Sequence, residues 1–410
     1  MEDNYYDLKN DIHKIRSNFP ILTQGIYLIN NSLGAVPAGT RDRLNEFMQK
    51  WETEGVAAWK TEWWDLARKT GNKIADFLGA GDDEITMMTN ATLCHWVALS
   101  TQFKKKNQNR KRIVMTSMDF PSIINAVTKI AEFMDWTVDI IDGKGQVGID
   151  TEQIIDRIKD DTLFVATSHV YFKSAYIQDI RKIAAYAHEK GAYTLIDGYH
   201  APGVIPVELH SSGVDFYVGG CLKWLCGGPG TAFLYVRPEL SSQLQPKLTG
   251  WFAHTSPFSF SLDMDYTKGS YRFMSGTPPI PCLYTALAGL EEIDKVGISQ
   301  IRDKSVQMTG TIIEMAKKRG FASFTPEEFK LRGGAVSLNI PFAFQIKQCL
   351  DRRKIQIDFR KGESKEADVI RVGPHFYNIE DEIKDFFSAV DEILSSGEYR
   401  KYLENFSTVT

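Results

Sequence analysis

Cysteine is scarce and unpatterned: five residues (Cys94, Cys221, Cys226, Cys282 and Cys349) in a chain of 410. An odd number without framework spacing argues against a disulfide scaffold and for reduced thiols in the cytosol. No apolar run approaches the roughly 18 residues that a membrane-spanning helix needs. The opening MEDNYYDLKN is acidic and polar, not the basic-then-apolar order of a signal peptide. These readings together predict a cytoplasmic chain with no membrane contact. The net charge of −4 gives the molecule as a whole no electrostatic reason to bind nucleic acid. There is no GxxxxGK[ST] loop and no GxGxxG after a strand, so nucleotide cradles lack support. HExxH and paired CxxC are also missing, so no metal site is expected. One stretch breaks the charge balance: 104–112 (KKKNQNRKR) holds six basic residues in nine. It follows a predicted helix, whose C-terminus favours cations, and it reads as a solvated loop rather than a phosphate or nucleic-acid contact.

What is present is the balance of a globular protein with a core, 43% hydrophobic and 24% charged. The first 40 residues read as an arm ending in YLINNSLGAVPAG (27–39), a short strand followed by turn residues. A long, interrupted helical pattern runs to about Leu78. Strands are then predicted over 84–89, 112–117, 136–142, 163–170, 192–197, 215–220 and 231–236. Helical patterns over 92–103, 123–134 and 179–190 separate several of them. Alternation of this kind, with near-continuous apolar strands, calls for a mostly parallel sheet covered on both faces. The pattern weakens after Thr277-Pro278-Pro279, where a long helical stretch (283–320) opens a mixed α+β region. The expected division is an arm (1–40), a large α/β domain (41–277) and a smaller C-terminal α+β domain (278–410).

In open α/β sheets the site lies beyond the carboxyl ends of the strands. The polar residues there are Thr92, then Asp119-Phe120-Pro121-Ser122, Ser168 with His169, Asp197 with His200, and Lys223. This set meets the needs of pyridoxal 5′-phosphate (PLP). The cofactor takes a lysine amine for its aldehyde and a carboxylate at its pyridine nitrogen, because a protonated ring is the better electron sink. It also takes a helix N-terminus for its phosphate and a flat partner for its ring. Each residue alone has a plainer reading. Lys223 could sit on an exposed loop, and Asp197 could cap a turn. Thr92 could be an ordinary N-cap, Phe120 a core filler, and His200 could satisfy itself in a turn. Lys223 and Asp197 together, at the ends of successive strands, are much less easily explained that way. Burial should also lower the Lys223 pKa toward the nucleophilic amine.

At these residues the chain resembles the class V aminotransferase superfamily of fold-type I PLP enzymes, and within it the kynureninase branch. The resemblance rests on DFYVGGCLKWLCGGPGTAFLYV with the upstream LIDGYHAPGVIPVEL, and on YLINNSLGAVP, MDFPS, GWFAH and SGTPPI. Its most branch-specific part is IDFRKGESKEADVIRVGPHFYN (357–378). The resemblance implies that Lys223 forms the Schiff base, that Asp197 pairs with the pyridine nitrogen, and that His200 lies close to the cofactor. Phe120 stacks on the ring, while Ala91, Thr92, Ser122 and Ser168 line the phosphate and ring pocket. Trp251 and Thr277 sit where the family reaches into the neighbouring subunit's site, which implies a homodimer. Arg371 clamps the α-carboxylate of an amino-acid substrate, a group that suits a guanidinium fork. Ser32 lies in a segment that approaches substrate. The chain departs from the branch at Leu222, where a tyrosine usually precedes the lysine, at Ile123, usually aspartate, and at Thr277, usually asparagine. The implied activity is hydrolysis of the Cβ–Cγ bond of kynurenine or a related γ-oxo amino acid. A class V aminotransferase, another Cα/Cβ-directed PLP lyase, and a PLP-binding protein without turnover stay open as alternatives.

Overall fold

The computed structural model describes residues 5–102, 107, 109–362 and 367–403. Of the segments singled out in the sequence, 1–4, the last residue (103) of the helical pattern 92–103, 104–106 and 108 of the basic run, and 363–366 of the C-terminal signature lie outside the described residues.

Seven strands form the main sheet: β1 (Ile85–Met88), β2 (Arg112–Thr116), β3 (Thr137–Ile141), β4 (Thr162–Ser168), β5 (Tyr193–Asp197), β6 (Phe216–Gly220) and β7 (Ala232–Val236). Their order is β1-β7-β6-β5-β4-β2-β3. All neighbours run parallel except β7, which is antiparallel to both β1 and β6. The seven predicted strands are these seven. Every residue of β1, β4, β5, β6 and β7 is buried, because helices cover both faces. The helices Ala91–Leu99 and Pro121–Phe133 pack on one face. On the other lie Trp64–Leu78 and Ile280–Val296. The edge strand β3 is half exposed and carries Asp139, which pairs with Arg112 and Arg157. The described part of the basic run is tied down in the same region. Arg110 donates to the Thr162 carbonyl at 2.9 Å, and Lys111 pairs with Asp135 at 2.5 Å.

A second sheet of four antiparallel strands follows, in the order Ala322–Ser323, Val336–Asn339, Val369–Val372, Asp358–Arg360. The helices Ile298–Lys318, Ala343–Arg352 and Glu380–Ser396 share its core. The single helical stretch expected over 283–320 is two helices. Gly297, at φ 80°, breaks it where a side chain would be strained. The arm's strand Ile26–Tyr27 does not stand apart: it pairs in parallel with Ile355–Gln356 of the C-terminal region.

Candidate active site

The topology brings the carboxyl ends of β1, β2, β4, β5 and β6 to one edge of the main sheet. Each contributes from the turn that follows it. After β1, the Asn90 side chain caps the helix Ala91–Leu99 by accepting from the Leu93 N–H at 2.9 Å. Thr92 is therefore inside the first turn and is not the cap. The first N–H groups of that turn, from Ala91 onward, are of the kind that suits an anion. After β2, Phe120 precedes the helix Pro121–Phe133, and both Phe120 and Ser122 are exposed. Ser168 ends β4 and is buried.

Asp197 ends β5 and is buried; its Oδ1 accepts from the Tyr199 N–H at 2.9 Å. Three residues on, His200 Nε2 meets the amine of Lys223 in a short hydrogen bond. The amine is pushed down to about 7, first by burial and then by the charge of Arg371, while Asp197 pulls the other way. His200 is driven well below the ordinary histidine range by burial and by the Lys223 cation, so its ring is neutral. A neutral imidazole beside an amine that sheds its proton near neutrality gives Lys223 a nucleophile's environment. The Phe120 ring centroid lies 5.7 Å from Nζ.

The C-terminal sheet supplies the far wall. Arg371 is buried, and burial lowers its pKa to about 9. Its guanidinium donates to Asp358, to the Phe172 carbonyl, and to Ser32 Oγ at 3.3 Å. Its Nε is buried without a partner. Phe172 packs edge-on against Phe120 with centroids 5.2 Å apart, so Arg371 and Phe120 are linked through one phenylalanine. The arm closes the site. Gly34 accepts no side chain because a Cβ would strike the Lys223 carbonyl oxygen, and its N–H donates to the Leu222 carbonyl at 3.0 Å. The arm is locked to the C-terminal signature: Tyr377 donates to Asn30, and Asn378 donates to the Tyr27 carbonyl at 3.0 Å.

Of the predicted residues, the structure gathers Ala91, Thr92, Phe120, Ser122, Ser168, Asp197, His200 and Lys223 at the sheet edge, with Ser32 and Arg371 opposite. Trp251 and Thr277 are not brought in. Trp251 is 37% exposed and packs against Trp64 and Phe258, and Thr277 is exposed. A cavity of about 590 Å³ lined by Ser32, Asp358 and Arg360 opens on the Asp358 side of the site and is not lined by Lys223. Several residues in the site, Phe172 among them, were not singled out from the sequence. Asp358 was only a letter in a signature, and Tyr199 lay unremarked between Asp197 and His200. Among the described residues no group of three or more His, Cys, Asp or Glu could hold a metal ion.

A family model for class V aminotransferases matches residues 26–386. The chain belongs to that family. A kynureninase from Pseudomonas fluorescens is 29% identical over 401 residues, covering 95% of this chain and 94% of the relative. An uncharacterized aminotransferase, YcbU from Bacillus subtilis (strain 168), is 30% identical over 383 residues, covering 92% of this chain and 96% of the relative. Among solved structures, a cysteine desulfurase from Thermococcus onnurineus aligns with TM-score 0.79 at 20% identity, covering 94% of this chain and 98% of that one. C-DES, a cystine C–S lyase, aligns with TM-score 0.81 at 20% identity, covering 91% and 99%. The fold is that of fold-type I PLP enzymes, and the chain is a PLP-dependent enzyme of class V.

Proposed function

We propose that this enzyme is kynureninase-like and hydrolyses the Cβ–Cγ bond of kynurenine or a related γ-oxo amino acid. The observation that carries the reading is the Lys223 amine, lowered to about 7 beside neutral His200. Arg371 faces it from the second sheet, ready for an α-carboxylate. Bound PLP supplies an aldehyde for that amine and a ring that stores electrons. Lys223 would hold the cofactor through its amine, and the same amine, when free, is placed to take the proton from the substrate's Cα. Asp197 keeps a proton on the pyridine nitrogen. Ala91 and Thr92 offer helix N–H groups to the phosphate, with Ser122 and Ser168 completing the pocket. Phe120 covers one face of the ring, and His200 stays neutral against the amine. Arg371, flanked by Ser32, would hold the substrate by its α-carboxylate. Trp251 and Thr277 serve the site of a second copy in a homodimer, and the protein acts in the cytoplasm. The division into an arm (1–40), a cofactor domain (41–277) and a C-terminal domain (278–410) belongs to the same reading. The retention of Lys223, Asp197 and Arg371 together speaks for turnover.

A specific departure favours a second reading, transamination. Leu222 precedes the lysine and has no hydroxyl to move a proton. Incubation of the purified enzyme with a γ-oxo amino acid separates the two. Cβ–Cγ hydrolysis releases alanine and leaves the cofactor as PLP; transamination converts it to pyridoxamine phosphate. Alanine release is the expected result. In the Lys223→Ala variant the visible absorption of lysine-linked cofactor disappears, and its persistence would refute the assignment.

A further inference from the structure

Tyr199 has no part in the roles above, yet its ring centroid lies 5.0 Å from Lys223 Nζ, nearer than that of Phe120 at 5.7 Å. The two rings reach the amine from different strand ends. Phe120 follows β2 and Tyr199 follows β5, with β4 between them. Two features hold Tyr199 in place. Its amide is fixed by the Asp197 carboxylate at 2.9 Å. Its ring fills the space at the end of β6 where Gly220 has no side chain, and a Cβ at 220 would collide with it. The residue is partly buried. Burial, then Cys221 and Asp197, raise the phenol's pKa, which keeps the hydroxyl protonated and the ring uncharged. An uncharged aromatic face beside the amine suits a flat heterocycle.

We infer that Tyr199 is a cofactor-binding residue, its ring forming a second aromatic wall of the PLP site that reaches the amine from the β5 side while Phe120 reaches it from β2. This rests on Lys223 being the cofactor's lysine, and the two claims fail differently. If Lys223 is misassigned, Lys223→Ala keeps the visible band. If Tyr199 is misassigned, the band and the affinity are both indifferent to its ring.

The test is PLP binding to apo-protein, with the visible circular dichroism of the bound cofactor as a second readout. Tyr199→Phe keeps the ring and should bind within about twofold of wild type. Tyr199→Leu keeps bulk without the π face and should weaken binding about five- to tenfold, with an altered dichroic band. Equal affinity and an unchanged band in the leucine variant would overturn the inference. So would a phenylalanine variant as impaired as the leucine one, because the hydroxyl would then be what matters. Should the leucine variant fail to fold, 3-fluorotyrosine at position 199 in otherwise intact protein gives the answer. Its fluorine resonance should shift on loading with PLP, and an unmoved resonance would contradict contact.

Discussion

Asp358 is the buried carboxylate partner of Arg371. The two face each other across adjacent antiparallel strands, and Asp358 also receives Ser32 Oγ at 2.9 Å and Arg360 at 3.1 Å. Removing one partner of a buried pair strands the other charge. Asp358→Asn should therefore destabilise the protein by about 3 kcal/mol, read from the urea midpoint, and should tighten binding of simple carboxylate inhibitors. A variant with unchanged stability would show that Arg371 does not depend on this partner. Lys223 gives a second expectation. With its amine at about 7, the protonated, unreactive form dominates below that pH and the free amine above it. The rate of PLP uptake by apo-protein should rise with pH through about 7 and then level off. A rate still climbing toward pH 10 would place the amine at an ordinary lysine value. Lys223 and Arg371 were legible in the sequence because each sits in a distinctive run. Asp358's grip on Arg371 was not, because strand register across a sheet is a tertiary fact. Tyr199 was missed for a related reason, since only Gly220 on another strand makes room for it.

The strand ends need a brace, and Asp119 supplies one between β2 and β4. Its carboxylate accepts from Thr116 N–H and Oγ1 at 2.9 Å each, and from Ser168 N–H at 2.6 Å. Burial raises its pKa to about 6. Asp119→Asn turns one acceptor atom into a donor that faces other donors, a loss of about 1–3 kcal/mol for an unsatisfied buried group. The expected result is a lower urea midpoint together with weaker PLP retention, since Phe120 and Ser168 are the elements it joins. Equal midpoints would exclude the brace. The strands themselves were readable because burial on both faces writes unbroken apolar runs into the chain. The break at Gly297 was less readable, since apolar spacing continues through it. The pairing of Ile26–Tyr27 with Ile355–Gln356 joins segments more than 300 residues apart, beyond the reach of any local pattern.

At the scale of the whole molecule, several apolar side chains near Trp251 are exposed among the described residues. Phe258 is 63% exposed, and Phe260 and Leu262 are more so. Clustered exposure of this kind marks a contact surface, which supports the proposed homodimer. Sedimentation should give twice the 46.4 kDa chain mass. Phe258→Ser with Leu262→Ser should shift the protein toward the monomer and loosen PLP. A wild-type monomer that holds PLP tightly would remove Trp251 and Thr277 from the site. The α/β architecture was legible from alternating elements, and the family from motifs spread over most of the chain. The homodimer was implied only by the resemblance at Trp251 and Thr277, because how two copies dock depends on which surface residues stay uncovered after folding. The most direct test of the central claim is borohydride reduction of the purified, PLP-loaded enzyme, followed by peptide mapping. The pyridoxyl group should be found on Lys223 alone; its attachment to another lysine, or to none, would contradict the account.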